Sequence, residues 1–166
     1  IWLKRRTAQN IVIGGAAGAL PPMVGWAAAT GGIDAGAIAL FLVILLWTPP
    51  HFWSLALCRA GDYERVGVPM LPVVVGPAET CRQILFYTAL LAPASFAPLL
   101  TGRLGAVYAA TALVCGAVMV QRAVALYRLR AAPQERMRKA AMQLFEFSIF
   151  YMSALFVAML AEVVAR

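Results

Sequence analysis

Five stretches of this chain run the thickness of a membrane with almost no charge, and that limits the fold more than anything else in it. They are Thr7–Ile33, Ala35–Cys58, Gln83–Gly102, Leu104–Gln121 and Ala140–Ala161, the last interrupted only by Glu146. Each is about 18 to 27 residues, and a spanning helix needs roughly 20 at about 1.5 Å each. Lipid satisfies no backbone group, so open sheet edges are excluded and helices are the remaining solution. The expected fold class is all-α, a polytopic membrane bundle of five transmembrane helices. Composition agrees: 63% of the 166 residues are hydrophobic, 13% are charged, and the mean hydropathy is +0.81. A soluble domain carries roughly a quarter charged residues.

The net charge of +7 would point to nucleic acid in a soluble protein. Here the basic residues fall in short connections between apolar runs, where they set topology. No nucleic-acid partner is expected, and the lipid bilayer is the first partner. With five spans, twelve basic residues from Lys4 to Lys139 lie on one side and Arg103 and Arg166 on the other. The positive-inside rule makes the first side cytoplasmic. Cys58, Cys81 and Cys115 have no metal-ligand spacing and read as unpaired apolar residues. The chain opens at Ile1 with a basic cluster, Lys4-Arg5-Arg6, as if an earlier segment had just left the membrane. It is expected to be the C-terminal piece of a longer protein.

Local signals punctuate the spans. Pro21-Pro22 is expected to kink the first helix, Gly31-Gly32 to end it, and Asp34 to cap the second. Run on to Glu64, the second helix would be about 45 Å long against a hydrocarbon core of about 30 Å. Pro49-Pro50 therefore predicts a break halfway. The third helix is expected after Gly76-Pro77, containing Pro93 and Pro98. A long basic loop is expected over Arg128–Lys139 before the fifth.

Chemistry concentrates in Trp47–Pro72, WTPPHFWSLALCRAGDYERVGVPMLP, which holds the only histidine. If Pro50–Tyr63 is helical, then His51, Leu55, Cys58, Arg59 and Asp62 share a face. Asp62, with Arg59 one turn before it at the membrane boundary, is a candidate cation site. Mg²⁺ is bound through one or two carboxylates plus substrate phosphates. The competing account of Asp62 and Glu64 is a solvated segment paired with Arg59 and Arg65. For His51 it is a buried histidine at the proline break. Lys4-Arg5-Arg6 is either a topology signal or a phosphate clamp, since guanidinium forks match phosphate oxygens. Asn10, one turn on, could line the same cavity.

The segments LKRRTAQNIVIGGAAGALPPMVGWAAATG, LWTPPHFWSLAL, GDYERVGVPMLPVV and QLFEFSIFYMSALF together resemble the C-terminal half of the haem-farnesylating branch of the UbiA-type membrane prenyltransferases. The resemblance covers nearly the whole chain. It implies a ring of nine transmembrane helices of which these are the last five, with residues 1–166 the C-terminal part of a single prenyltransferase domain. It implies transfer of a farnesyl group from farnesyl diphosphate to a vinyl group of haem b, giving haem O, with Mg²⁺ held by two acid-rich motifs. Matched position by position, Asp62 is the aspartate of the second motif and a metal ligand, and Glu64 is a nearby metal candidate. Lys4 and Arg5 match a pair expected near the diphosphate, with Asn10 and Arg59 completing that set. His51 matches a histidine of the family's proline-histidine segment and joins Asp62 as a catalytic candidate.

The pattern departs from the wider superfamily where Cys58 and Val66 stand four residues either side of Asp62, leaving one aspartate. A basic residue is also expected where Gln143 stands. The implied setting is a bacterial inner membrane with the active side cytoplasmic, and haem A synthase or a terminal oxidase as candidate assembly partners. Residues 1–166 alone are expected to be inactive, because the first acid-rich motif would lie upstream. Two other classes stand beside this one. One is a prenyltransferase acting on an aromatic or quinone precursor. The other is a transporter or structural subunit whose charges serve only topology.

Overall fold

The computed structural model describes residue 7 and residues 9–165. Among these, five helices are long and apolar enough to cross a membrane, in the order expected. The first, α1 (Asn10–Thr30), ends where Gly31 takes φ 80° and its N–H bonds the Ala27 carbonyl at 2.9 Å. Glycine takes that left-handed conformation without a side-chain penalty. The next, α2 (Ala35–Cys58), is capped by Asp34, whose Oδ1 accepts from the N–H groups of Gly36 (2.8 Å) and Ala37 (3.2 Å). Both expectations for this turn hold.

The expected break at Pro49-Pro50 does not occur. Helix α2 runs through both prolines, which are buried. Hydroxyls on either side bond back along the helix, from Thr48 Oγ1 to the Ile44 carbonyl (2.7 Å) and from Ser54 Oγ to the Pro50 carbonyl (2.6 Å). Burial against neighbouring helices is what lets a membrane helix keep an internal proline. Helix α1 likewise continues through Pro21 and Pro22.

The chain turns instead at Arg59, where φ −116° and ψ 23° close α2 and open a short helix, α3 (Ala60–Arg65). A single helical face from His51 to Asp62 is therefore not formed. Gly67, at φ 63°, leads to α4 (Leu71–Val74), and Gly76, at φ 83°, opens α5 (Gly76–Ala94). Pro98 lies beyond α5 in a 3₁₀ turn, Ala97–Thr101. Helix α6 spans Ala106–Arg128 and α7 spans Gln134–Val164. The expected basic loop over Arg128–Lys139 thus shrinks to Leu129–Pro133. Charge ends an apolar run but not a helix, and Arg, Glu, Gln, Met and Lys are good helix formers.

Helices α2, α5, α6 and α7 pack in a cycle, each against the next, and α1 lies on α2. Their shared core holds Trp53, Ile84, Leu91, Met119, Leu144 and Leu155, all nearly inaccessible. The three cysteines are buried and free, as expected. Close approach of α1 and α2 depends on glycine. A Cβ on Gly15 would stand 2.9 Å from Thr48 Cγ2, and one on Gly36 would stand 2.6 Å from Trp26 Cη2.

The up-and-down order brings the C-terminus of α2, all of α3 and α4, and the starts of α5 and α7 to one end of the bundle. Arg59, Arg65, Arg82, Arg128, Arg130, Arg136, Arg138 and Lys139 gather there, while Arg103 is at the other end. The two-sided charge distribution read from the sequence is therefore a feature of the fold.

Candidate functional site

The seam between α2 and α7 holds the histidine of the site. His51 is half-buried, and its ring is held on both faces. Trp47, one turn before it, stacks at 4.3 Å between centroids and 18° between planes. Phe145 of α7 stacks at 4.7 Å and 26°. Phe52 meets the ring edge-on at 5.1 Å. His51 Nδ1 lies 2.7 Å from Ser148 Oγ, and Ser148 Oγ lies 2.5 Å from the Phe145 carbonyl. Trp47 Nε1 donates to the Ser148 carbonyl at 2.8 Å. His51 is thus a ligand of α7 and not a plug in a proline break.

Asn10 is buried in the first turn of α1. The contacts of Gly15 with Thr48 and of Trp26 with Gly36 set the antiparallel register of α1 on α2. Carried five residues toward the start of α1, that register brings Asn10 level with the turn of α2 that holds His51 and Trp53. Asn10, read from the sequence as lining the same cavity as Lys4-Arg5-Arg6, is at the level of the histidine. Lys4 and Arg5 themselves lie outside the described residues.

Arg59, Asp62 and Glu64 occupy the α2–α3 joint and α3, all exposed. Asp62 is 68% exposed at its side chain and faces Arg65 at 3.9 Å. From His51 to Cys58 is seven residues, so the histidine sits about 10 Å inside the end of α2 along its axis. The candidates form two levels, with carboxylates and Arg59 at the mouth and the imidazole and aromatic rings below it.

Asp62 and Glu64 offer the hard oxygen donors that Mg²⁺ takes, one or two at a time, with substrate oxygens filling the remaining positions. Their exposure leaves those oxygens open to a ligand. Among the described residues no group of three or more His, Cys, Asp or Glu side chains comes together. This donor set therefore fits part of a Mg²⁺ site and not a closed cage. A cavity of about 330 Å³, lined by Trp26, Gly36, Arg103 and Met159 among others, lies at the opposite end of the bundle.

Three residues near the site were not among the site candidates read from the sequence. Phe145 and Ser148 clamp His51, and Arg138 brings its backbone carbonyl within 3.4 Å of Cys58 Sγ at the mouth. Arg138, Ala141, Phe145 and Ser148 recur at helical spacing on one face of α7, which was the available signal.

The UbiA prenyltransferase family model matches residues 1–160. The chain is 55% identical over 162 residues to Protoheme IX farnesyltransferase of Methylorubrum populi, covering 98% of this chain and 50% of that protein. It is 56% identical over 164 residues to Protoheme IX farnesyltransferase 2 of Nitrobacter winogradskyi, covering 99% and 52%. It is 53% identical over 166 residues to the protein of the first name in Rhodopseudomonas palustris, covering all of this chain and 52% of that one. The chain spans about half the length of the curated relatives it matches. A solved structure from work on digeranylgeranylglyceryl phosphate synthase in membranes shares the fold, with a TM-score of 0.70 at 17% identity over 99% of this chain and 52% of that one.

Proposed function

Because the chain belongs to the UbiA prenyltransferase family, we propose that it serves the transfer of a farnesyl group from farnesyl diphosphate to a vinyl group of haem b, giving haem O. The observation that carries this reading is its identity of 53 to 56% with proteins named Protoheme IX farnesyltransferase over 98% or more of its length. The setting is a bacterial inner membrane, and the basic end of the bundle is the cytoplasmic one. Haem A synthase and a terminal oxidase are the partners of choice for assembly, since haem O must be passed on without crossing water.

The two levels of the site suit two amphiphilic substrates. A diphosphate belongs at the mouth, with Arg59 and the Lys4-Arg5 pair as its cationic partners and Asn10 as a polar group further in. Asp62 and Glu64 are the side chains that would hold Mg²⁺, which when bound would neutralise the diphosphate and favour its departure. The farnesyl tail and the porphyrin belong below, against Trp47, Phe52 and Phe145. There the rings exclude water from the allylic carbon.

Fixed positive charge at the mouth stabilises the negative charge that develops as the allylic carbon–oxygen bond breaks. The vinyl group supplies the electron pair for the new carbon–carbon bond. Water then adds to the resulting cationic carbon and loses a proton, leaving a hydroxyethylfarnesyl group and free diphosphate. His51 orients the porphyrin.

The test is to supply the full-length membrane protein with farnesyl diphosphate, haem b and Mg²⁺ and to follow haem O by chromatography and mass. Prenylation of an aromatic acid in place of haem would overturn the substrate assignment, and undiminished transfer with Mg²⁺ chelated would overturn the metal. Residues 1–166 alone are expected to give no haem O, because they carry only part of the acidic donor set.

A further inference from the structure

The geometry points to Ser148 as a positioning residue that fixes the tautomer of His51 and so sets which imidazole nitrogen meets substrate. A serine hydroxyl has one proton to give. Ser148 Oγ lies 2.5 Å from the Phe145 carbonyl, which can only accept, so that proton is committed there. Toward His51 Nδ1, at 2.7 Å, the same oxygen must therefore accept. Nδ1 then carries the hydrogen. A neutral imidazole has only one, so Nε2 is left with the lone pair.

The rest of the seam holds this choice in place. Trp47 Nε1 ties down the Ser148 backbone at 2.8 Å. The stacks of Trp47 and Phe145 on the two faces of the ring keep it from turning over. Among the described residues Nε2 has no hydrogen-bond partner of its own. An imidazole bonded through one nitrogen and open at the other is the arrangement in which the bonded side sets the basicity and aim of the open one. What the seam offers is a preset, unprotonated Nε2, a Lewis-basic nitrogen for the porphyrin substrate. The identity of that substrate rests on the function proposed above; the tautomer does not.

Nitrogen NMR of full-length protein labelled at histidine decides the point, with the His51 signals identified by their loss in H51Q. The wild type is expected to show Nδ1 protonated and Nε2 bare. S148A should lose that preference, and S148T, which keeps the oxygen, should restore it. Protonation at Nε2 in the wild type would overturn the proposal without any variant, as would an S148A spectrum identical to wild type.

In turnover assays S148A should raise the KM for haem about tenfold, the usual scale for losing an outer hydrogen bond to a working histidine. The KM for farnesyl diphosphate should stay constant, and a rise confined to it would also overturn the proposal. If the wild type makes no haem O yet shows Nδ1 protonated, the function reading falls and the Ser148 assignment stands.

Discussion

Glu162, near the end of α7, caps α6 at Gly105. Its carboxylate accepts from the Gly105 N–H at 2.5 Å and from the Val107 N–H at 2.8 Å. Gly105 has no side chain with which to cap the helix it precedes, so a residue 57 positions away in sequence supplies the acceptor. The negative charge also faces the positive end of the α6 dipole. Replacing Glu162 with alanine should cost about 0.5–2 kcal/mol, the range for a lost N-cap. Glutamine, which keeps one carbonyl oxygen, should cost less. Thermal unfolding in detergent ranks the three proteins, and equal midpoints for wild type and E162A would show the cap to be idle.

The α1–α2 contact makes a second prediction. Gly15→Ala brings a methyl within 2.9 Å of Thr48 Cγ2. Overpacking of this kind costs about 1–3 kcal/mol. Thr48→Ser removes the offending methyl while keeping the hydroxyl that bonds the Ile44 carbonyl. The double variant should therefore recover most of the loss, a coupling that a double-mutant cycle reads directly. Strict additivity of the two single effects would place the clash elsewhere.

The five spans were legible because lipid imposes a length and an absence of charge that survive in one dimension. Asp34 and Gly31 were legible because caps are local. The break at Pro49-Pro50 was misread for the converse reason. Proline's effect on an isolated helix is local, but the burial that lets α2 run through it belongs to the tertiary structure. Arg128–Lys139 was misread because polarity was taken as the end of a helix. In the site, His51 and Asp62 stood out as the sole histidine and as an acid beside a membrane span. Ser148 did not, since it meets His51 across 97 residues of sequence and only once α7 is packed on α2. The one helical face drawn from His51 to Asp62 failed at Arg59, where a single residue leaves the helix.

A buried knot of hydroxyls joins three helical segments and gives a third prediction. Ser95 Oγ donates to the Leu91 carbonyl at 2.9 Å and also meets the Tyr151 hydroxyl, while the Tyr108 hydroxyl donates to the Ser95 carbonyl at 2.9 Å. Ser95 and Tyr151 are fully buried and Tyr108 nearly so. Tyr108→Phe deletes a donor to a buried carbonyl and should cost about 1–3 kcal/mol. Ser95→Ala in the Tyr108→Phe background should cost less than in wild type if the three groups act as one network. Denaturant or thermal unfolding of the four proteins measures this, and independent effects would dissolve the network into separate bonds.

Asp62 should separate function from stability. Its ion pair with Arg65, at 3.9 Å, is exposed on both sides, and exposed pairs of this kind contribute about 0–1 kcal/mol. Asp62→Asn should therefore unfold at nearly the wild-type temperature. In the full-length protein the proposed farnesyl transfer should fall about 10²-fold or more in the same variant, the scale for removing a group that stabilises developing charge. Arg65→Ala, which breaks the same pair from the other side, is the control and should keep its activity. If Arg65→Ala lowers transfer as far as Asp62→Asn does, the pair and not the carboxylate is what matters, and the metal assignment at Asp62 loses its support.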